Sequence, residues 1–357
     1  MGSADRALSR RSLCSGAASL LSVGAASLLP ASLLSGCAEP AAKHEPNSGQ
    51  KSPASGSTFA FDTYCTFTVY GDDSAPALLA KECARYDKLF NLYNESSDIA
   101  RVNAAQGAAV TVDPATLDLL EQALAFCASA QGLFDITIGA ASTLWDFSEG
   151  IRPSDAGIAR ALPHVNGRGV ALDANEGTVR LTDPEAKIDL GGIAKGYVAD
   201  RLCELLERET HATAAVLSLG GNIALFGKKP NGEPWETGIR DPNDPGGASV
   251  VGTARVDGGS LVTSGLYERT FELDGVTYWH ILDPRTGLPV QTDVVSDTVF
   301  CPSSTLADAL STTLFVAGSR AGSALADARE GTAAYFILQD GTTAESSRWQ
   351  ELTDFRA

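Results

Sequence analysis

The chain has 357 residues, with 44 acidic against 27 basic side chains and a formal net charge of -17. So acidic a chain is ill suited to nucleic acid or an anionic membrane face as its main partner, and a polyanionic substrate would need a local cation, lysine or metal. Roughly 300 residues lie beyond the low-complexity start, enough for one large domain or two closely joined ones.

The first stretch reads as targeting rather than fold. Ser9-Arg10-Arg11-Ser12-Leu13 is a twin-arginine pattern. It precedes an apolar, small-residue run from Ala17 to Leu34, and Leu34-Ser35-Gly36-Cys37 resembles a lipoprotein cleavage box. Together these predict an export signal over 1–36 and a lipidated Cys37, which would anchor the protein to the outer face of the cell membrane without spanning it. Residues 37–57 hold almost nothing to bury and are expected to be a flexible tether. No later stretch is long and apolar enough to cross a bilayer. Cys14 and Cys37 belong to the signal, leaving Cys65, Cys83, Cys127, Cys203 and Cys301 without a Cys-x-x-Cys pair. Zinc and thioredoxin-type chemistry have no support; one disulfide is allowed but not implied.

The folded domain is expected over 58–357. Phe59 to Tyr70 alternates like a strand, and Ala75 to Leu92 has helical spacing. Asn94 and Ser96 to Asp98 mark a turn and a helix cap. Tyr93 is either a core aromatic or a stacking platform for a ring ligand. Pro114 to Ala130 is amphipathic, Gly132 to Gly139 reads as strand, and Val165 to Leu181 as two short strands. Lys187-Ile188-Asp189-Leu190-Gly191-Gly192-Ile193-Ala194-Lys195-Gly196-Tyr197 then reads as a strand, a two-glycine turn and a helix start. Such a corner favours an anion, through free N–H groups and the positive dipole end. Lys195 opposes that dipole unless an anion lies between them; otherwise it is a solvated lysine.

Ala214 to Phe226 is a strand pair folded about Gly220-Gly221-Asn222, and Trp235 to Arg240 and Ala248 to Val256 are strand-like. Leu261 to Phe271 holds Thr263-Ser264-Gly265. Val276 to Leu282 is a strand leading into His280-Ile281-Leu282-Asp283-Pro284-Arg285-Thr286-Gly287. His280 is a turn-bonding imidazole or a proton acceptor. A helix from Ser304 to Ala317 carries Leu306, Ala309, Leu310, Thr313 and Leu314 on one face, and Asp308, Ser311, Thr312 and Phe315 opposite. The second face lacks surface charges, so it too is expected to be covered. Asp308 and Thr312 project together, either as hard oxygen ligands of the kind Mg²⁺ accepts or with Asp308 as a helix-terminus partner. A final hairpin runs through Tyr335 to Gly341. Strands and helices mix without strict βαβ alternation, so the fold class is α+β, with mixed or antiparallel sheets and flanking helices.

These pieces occur in the same order in the ApbE-type family, which the chain resembles over about residues 58–350. The resemblance rests on Asp189 to Tyr197, Ser218-Leu219-Gly220-Gly221-Asn222, Thr263-Ser264-Gly265, His280 to Gly287 and Asp308-Ala309-Leu310-Ser311-Thr312, with Tyr93 to Asn103, Phe134 to Gly139 and Leu144-Trp145 beside them. It implies a T-fold-related architecture and an exported FAD:protein FMN transferase, which needs Mg²⁺, splits FAD, moves FMN onto a Ser or Thr hydroxyl of a target flavoprotein and releases AMP. By that resemblance Gly192, Asp308 and Thr312 would hold the metal. Phe61, Tyr93, Leu133, Phe134, Asp135, Asp189, Lys195 and Ile281 would contact FAD, and His280 would handle the proton. Phe61-Asp62 stands where the family commonly has Met-Gly, Ser311 where an acid is frequent, and Leu266 where Asp or Asn often follows Ser-Gly. An FAD pyrophosphatase, or a lipid-anchored flavin-binding protein without turnover, is the alternative reading.

Overall fold

The computed structural model describes residues 52–244 and 249–357. The signal, Cys37 and most of the tether lie outside the described residues. The frame is one eight-stranded sheet: β1 (Ala54–Ala60), β2 (Thr63–Tyr70), β3 (Ala214–Leu219), β4 (Asn222–Phe226), β5 (Gly259–Gly265), β6 (Val294–Cys301), β7 (Ala333–Leu338) and β8 (Thr343–Glu345). Neighbours in space are neighbours in this order, and every pair is antiparallel. The segments of the candidate site are carried by this meander's connections: the β1–β2 turn and the insertions between β2 and β3, β5 and β6, and β6 and β7.

One face carries the helices α1 (Ala75–Phe90), α2 (Ala194–Glu209) and α3 (Ser304–Ala317). Cys65, Phe67 and Val69 of β2 point into this layer, while Thr66 between them is exposed, as period-two alternation requires. Leu310, Leu314 and Phe315 of α3 are fully buried, each contributing about 1.5–3 kcal/mol. Asp308 and Ser311 are buried as well, so the second face of α3 is covered as expected; Thr312 alone of that face keeps partial exposure. The other sheet face packs against a two-stranded ribbon (Trp235–Arg240 with Val250–Val256) and the short helix Trp349–Thr353, around Trp235, Phe300, Tyr335 and Trp349. All five cysteines of the folded part are free.

Four strand expectations are corrected. Phe59 to Tyr70 is a hairpin, turned at Phe61 and Asp62 with φ of 54° and 56°, and β1 begins at Ala54, inside the stretch read as tether. Gly132 to Gly139 is a chain of turns, because Asp135 Oδ1 accepts from the Thr137 N–H at 2.8 Å and its hydroxyl at 2.6 Å, an Asx turn that competes with a ladder. Ile188 to Leu190 is extended but joins no sheet: Asp189 N donates to Ile136 O at 2.7 Å beside an isolated Ile138–Lys187 bridge, and the Asn103 amide accepts from Ile188 N at 2.7 Å and donates to Ile188 O at 2.9 Å. The strand expected over Val276 to Leu282 ends at Trp279.

Asp297 of β6 is fully buried and neither carboxyl oxygen makes a hydrogen bond. Burial pushes its pKa well above the ordinary carboxylate range; the backbone amides of Ser264 and Asp297 lie near enough to offset this in part, but fall short of hydrogen-bond geometry. With the folded-state pKa raised, the unfolded chain loses this proton first, so stability should fall as pH rises above about 4. Asp297→Val should remove that slope and raise neutral-pH stability by about 1–3 kcal/mol. Urea unfolding at acidic and neutral pH checks this; parallel profiles for the variant and the unaltered chain would refute it.

Candidate active site

The glycine corner and α3 meet. A Cβ on Gly192 would lie 3.1 Å from Thr312 Oγ1, and one on Gly196 would overlap the Ser304 carbonyl and sit 2.7 Å from Asp308 Cβ. No side chain larger than hydrogen fits at Gly196, which is why α2 and α3 can cross so closely. Asp308 Oδ2 accepts the Gly196 N–H at 2.8 Å, while Oδ1 lies 3.7 Å from Lys195 Nζ. The carboxylate thus caps α2, whose first turn has no side-chain cap of its own, and keeps one oxygen towards the ammonium. Lys195 Nζ also donates to Gly191 O at 3.1 Å.

The corner's amides are mostly engaged internally, unlike the expectation of free N–H groups. Gly191 N donates to Asp189 Oδ1 at 2.9 Å, and Ile193 N and Ala194 N donate to Leu190 O. Asp189 Oδ2 accepts from Ser142 Oγ at 2.7 Å. The positive charge at the corner therefore comes from Lys195. Among the described residues no group of three or more His, Cys, Asp or Glu side chains gathers as a metal cage. One carboxylate beside a hydroxyl and backbone oxygens still suits Mg²⁺, whose shell substrate phosphates and waters complete.

Beside the corner opens a cleft of about 640 Å³, counted out to its mouth, lined among others by Phe61, Tyr93, Asp189, Lys195 and Arg269. Four of the eight residues expected at FAD (Phe61, Tyr93, Asp189 and Lys195) share this cleft. Tyr93 is 68% exposed, which excludes the core-aromatic reading. Phe134 approaches the corner from beneath, its ring edge 3.0 Å from where a Gly192 Cβ would be. Leu133, Asp135 and Ile281 are not among the cleft-lining residues. Asp135 Oδ2 accepts from Gly167 N at 2.9 Å, tying two distant segments together, and Ile281 O accepts from Val290 N.

His280 follows the hairpin Thr270–Leu273/Val276–Trp279, which stacks Phe271 and Tyr278 against Trp145 and Phe147. Its backbone N–H donates to Arg269 O at 3.2 Å, and its Nδ1 has no partner. Burial lowers its pKa to about 3, with Arg269 and Lys195 adding repulsion. The imidazole is therefore neutral near pH 7, and the Lys195 effect puts it within electrostatic reach of the corner.

The ApbE family model matches residues 61–336. The chain belongs to the ApbE family. A Treponema pallidum relative named FAD:protein FMN transferase is 37% identical over 305 residues, covering 78% of this chain and 82% of that protein. A Klebsiella pneumoniae relative of the same name is 33% identical over 272 residues, covering 75% and 84%. Among solved structures, the ApbE protein of Thermotoga maritima aligns with a TM-score of 0.77 at 33% identity, covering 84% of this chain and 99% of that one. The apo flavinyl transferase ApbE of Pseudomonas stutzeri aligns at 0.75 and 27% identity, covering 86% and 98%. The α+β architecture of antiparallel sheets and flanking helices is thus an ApbE fold.

Sequence reasoning missed several residues that build this ApbE site. Asp200 caps α3, accepting from Ser304 N at 2.8 Å, Thr305 N at 2.9 Å and the Ser303 and Thr305 hydroxyls; Ser303 at the helix start was the only local signal. Asn103, Ser142, Asp87 and Arg269 act across long sequence gaps that periodicity cannot see. With its pKa near 3, His280 should give no inflection near its ordinary value of about 6.5 in the pH dependence of turnover on FAD. The pH–rate profiles of the unaltered chain and of His280→Gln, overlaid between pH 5 and 8, test this. An inflection near 6.5 lost in the variant would overturn the burial argument.

Proposed function

We propose that this ApbE-family chain transfers FMN from FAD onto a Ser or Thr hydroxyl of a target flavoprotein, with Mg²⁺, releasing AMP. The observation that carries it is the meeting of the Gly191-Gly192 corner with Asp308 and Thr312, joined through Lys195 to a cleft that has an aromatic rim. The names of the relatives support the same activity. Asp308 Oδ1, Thr312 Oγ1 and the Gly192 carbonyl would hold Mg²⁺, which when bound would neutralise the FAD diphosphate and the charge developing on the leaving AMP.

The chain's own residues do the rest. Phe61 and Tyr93 offer faces to the flavin ring, and Lys195 places a fixed ammonium at the diphosphate in an otherwise acidic protein. The acceptor oxygen attacks the phosphorus on the FMN side; the bond to the bridging oxygen breaks, and AMP leaves with that oxygen. Neutral His280 would take the hydroxyl proton as general base; that role is typically worth about 10²–10⁴-fold in rate, and a pKa held near 3 sets its contribution towards the low end. The twin-arginine and cleavage-box patterns support the further reading that the enzyme works outside the cell membrane, held by lipid on Cys37.

Mass spectrometry of an acceptor domain co-expressed with the chain should show an added FMN on Ser or Thr. FAD split to FMN and AMP with the acceptor unmodified would favour hydrolysis, and intact FAD would reject turnover altogether. Asp308→Asn keeps an acceptor for Gly196 N–H but not the charge. It should therefore fold, yet lose at least tenfold in Mg²⁺ affinity by calorimetry, a ligand-level effect of about 1.4 kcal/mol or more. Undiminished Mg²⁺ binding would remove Asp308 from the ligand set.

A further inference from the structure

The last turn of α1 and its C-cap carry Asp87 and Asn91, four apart and so on one face. Asp87 Oδ1 accepts the backbone N–H of Phe61 at 2.9 Å. Asn91 Oδ1 accepts the backbone N–H of Tyr93 at 3.0 Å, and Asn91 Nδ2 donates to the same Asp87 oxygen at 3.5 Å. The backbones of two aromatic residues, from separate segments lining one cleft, are thus tied to one pair of side chains.

Neither aromatic would hold its place unaided. Phe61 and Asp62 both lie in the left-handed region, a conformation that costs non-glycine residues about 1–3 kcal/mol each and persists only where the surroundings enforce it. Hairpin turns of this kind favour Asn-Gly, which is absent here. The enforcing contact is Asp87, 26 residues away in sequence. On the outer side Arg269 Nη1 is 4.0 Å from Asp62 Oδ2, both groups being well exposed, so that pair adds little. Tyr93 is too exposed for packing to fix it.

We propose that Asp87 and Asn91 are positioning residues that set the placement of the Phe61 and Tyr93 rings, and so fit the cleft to a planar aromatic ring system. This rests on the flavin reading above. Asp87 acts through a backbone amide and touches no reacting atom; its effect belongs to binding of the ring, not to phosphoryl transfer.

The test uses the full chain with FAD and excess EDTA, following flavin fluorescence quenching without turnover. Asp87→Ala should weaken FAD binding about tenfold, the scale of one hydrogen bond to a charged group, and reduce the quenching. Asn91→Ala should do likewise. Asp87→Asn, which keeps an acceptor, should be milder and serves if the alanine variant fails to fold. Asp87→Ala/Asp62→Gly should recover part of the loss, since glycine adopts positive φ without strain. Without ligand, hydrogen exchange of the Phe61 amide should quicken in Asp87→Ala, and that of the Tyr93 amide in Asn91→Ala. Unchanged exchange at those amides, or unchanged FAD affinity and quenching in both alanine variants, overturns the proposal. Failure of the unaltered chain to bind FAD would reject the flavin reading instead, leaving the exchange measurements to decide whether the two side chains position the backbone.

Discussion

Two helices that begin on each other's carboxylates hold this active site together. Asp308, one turn into α3, accepts the Gly196 N–H at the start of α2. Asp200, in the second turn of α2, accepts the first amides of α3. Each charged cap satisfies donors that a helix start leaves open and complements its dipole; a cap of ordinary strength is worth about 1 kcal/mol. The clasp needs the helices in contact at Gly196, where no side chain fits. Given that contact, the Gly191-Gly192 corner has no freedom relative to Thr312. The readings of Asp308 as helix partner and as metal ligand do not compete, because they use different oxygens: Oδ2 is engaged with backbone, and Oδ1 faces Lys195.

An acidic protein that handles a dinucleotide must keep its carboxylates from repelling the substrate. The cleft contains Asp62, Asp87 and Asp189. Asp87 and Asp189 accept backbone N–H groups, from Phe61 and Gly191, and Asp62 faces Arg269. Amide dipoles and a guanidinium thereby offset much of the local negative field. Lys195 supplies the positive charge nearest the corner, and His280, kept neutral by burial, adds none. The same acids that would have hindered an anion become the scaffold that shapes its binding site.

The helices were legible in sequence because their determinants are local. The spacing of Leu306, Leu310, Thr313 and Leu314 placed α3, and its uncharged second face announced burial. Asp308 and Thr312, four apart, placed two oxygens together before any tertiary contact was known. The extended segments were misread where a distant side chain replaces a local rule. Ile188 to Leu190 looks like a strand, but it is held by the Asn103 amide and by one backbone hydrogen bond to Ile136 beside an isolated Ile138–Lys187 bridge, not by a ladder. The β1–β2 turn was hard to see because Asp62 tolerates positive φ but Phe61 does not, and the contact that holds Phe61 there comes from Asp87 on α1. Leu133, Asp135 and Ile281, which the family resemblance implies at the ligand, lie outside the residues that line the cleft, and no periodicity in the sequence separates them from those inside it.

Two buried acids in the layer between sheet and helices show why burial alone does not mark function. Asp297 lies in register opposite Ser264 of β5, and cross-strand partners share a sheet face. Ser264 Oγ donates to Ser311 Oγ of α3 at 2.9 Å, so Asp297 faces the helix layer too. Asp297 therefore lies on the stretch of that layer where Ser264 meets Ser311. Yet Asp308 has an amide and an ammonium as partners, while Asp297 has none and is driven towards its neutral form. The difference lies in where α2 passes: its first turn reaches Asp308 and supplies both donors. At this interface a carboxyl group finds donors only where a second helix start meets it, and that is where the glycine corner places the candidate metal site.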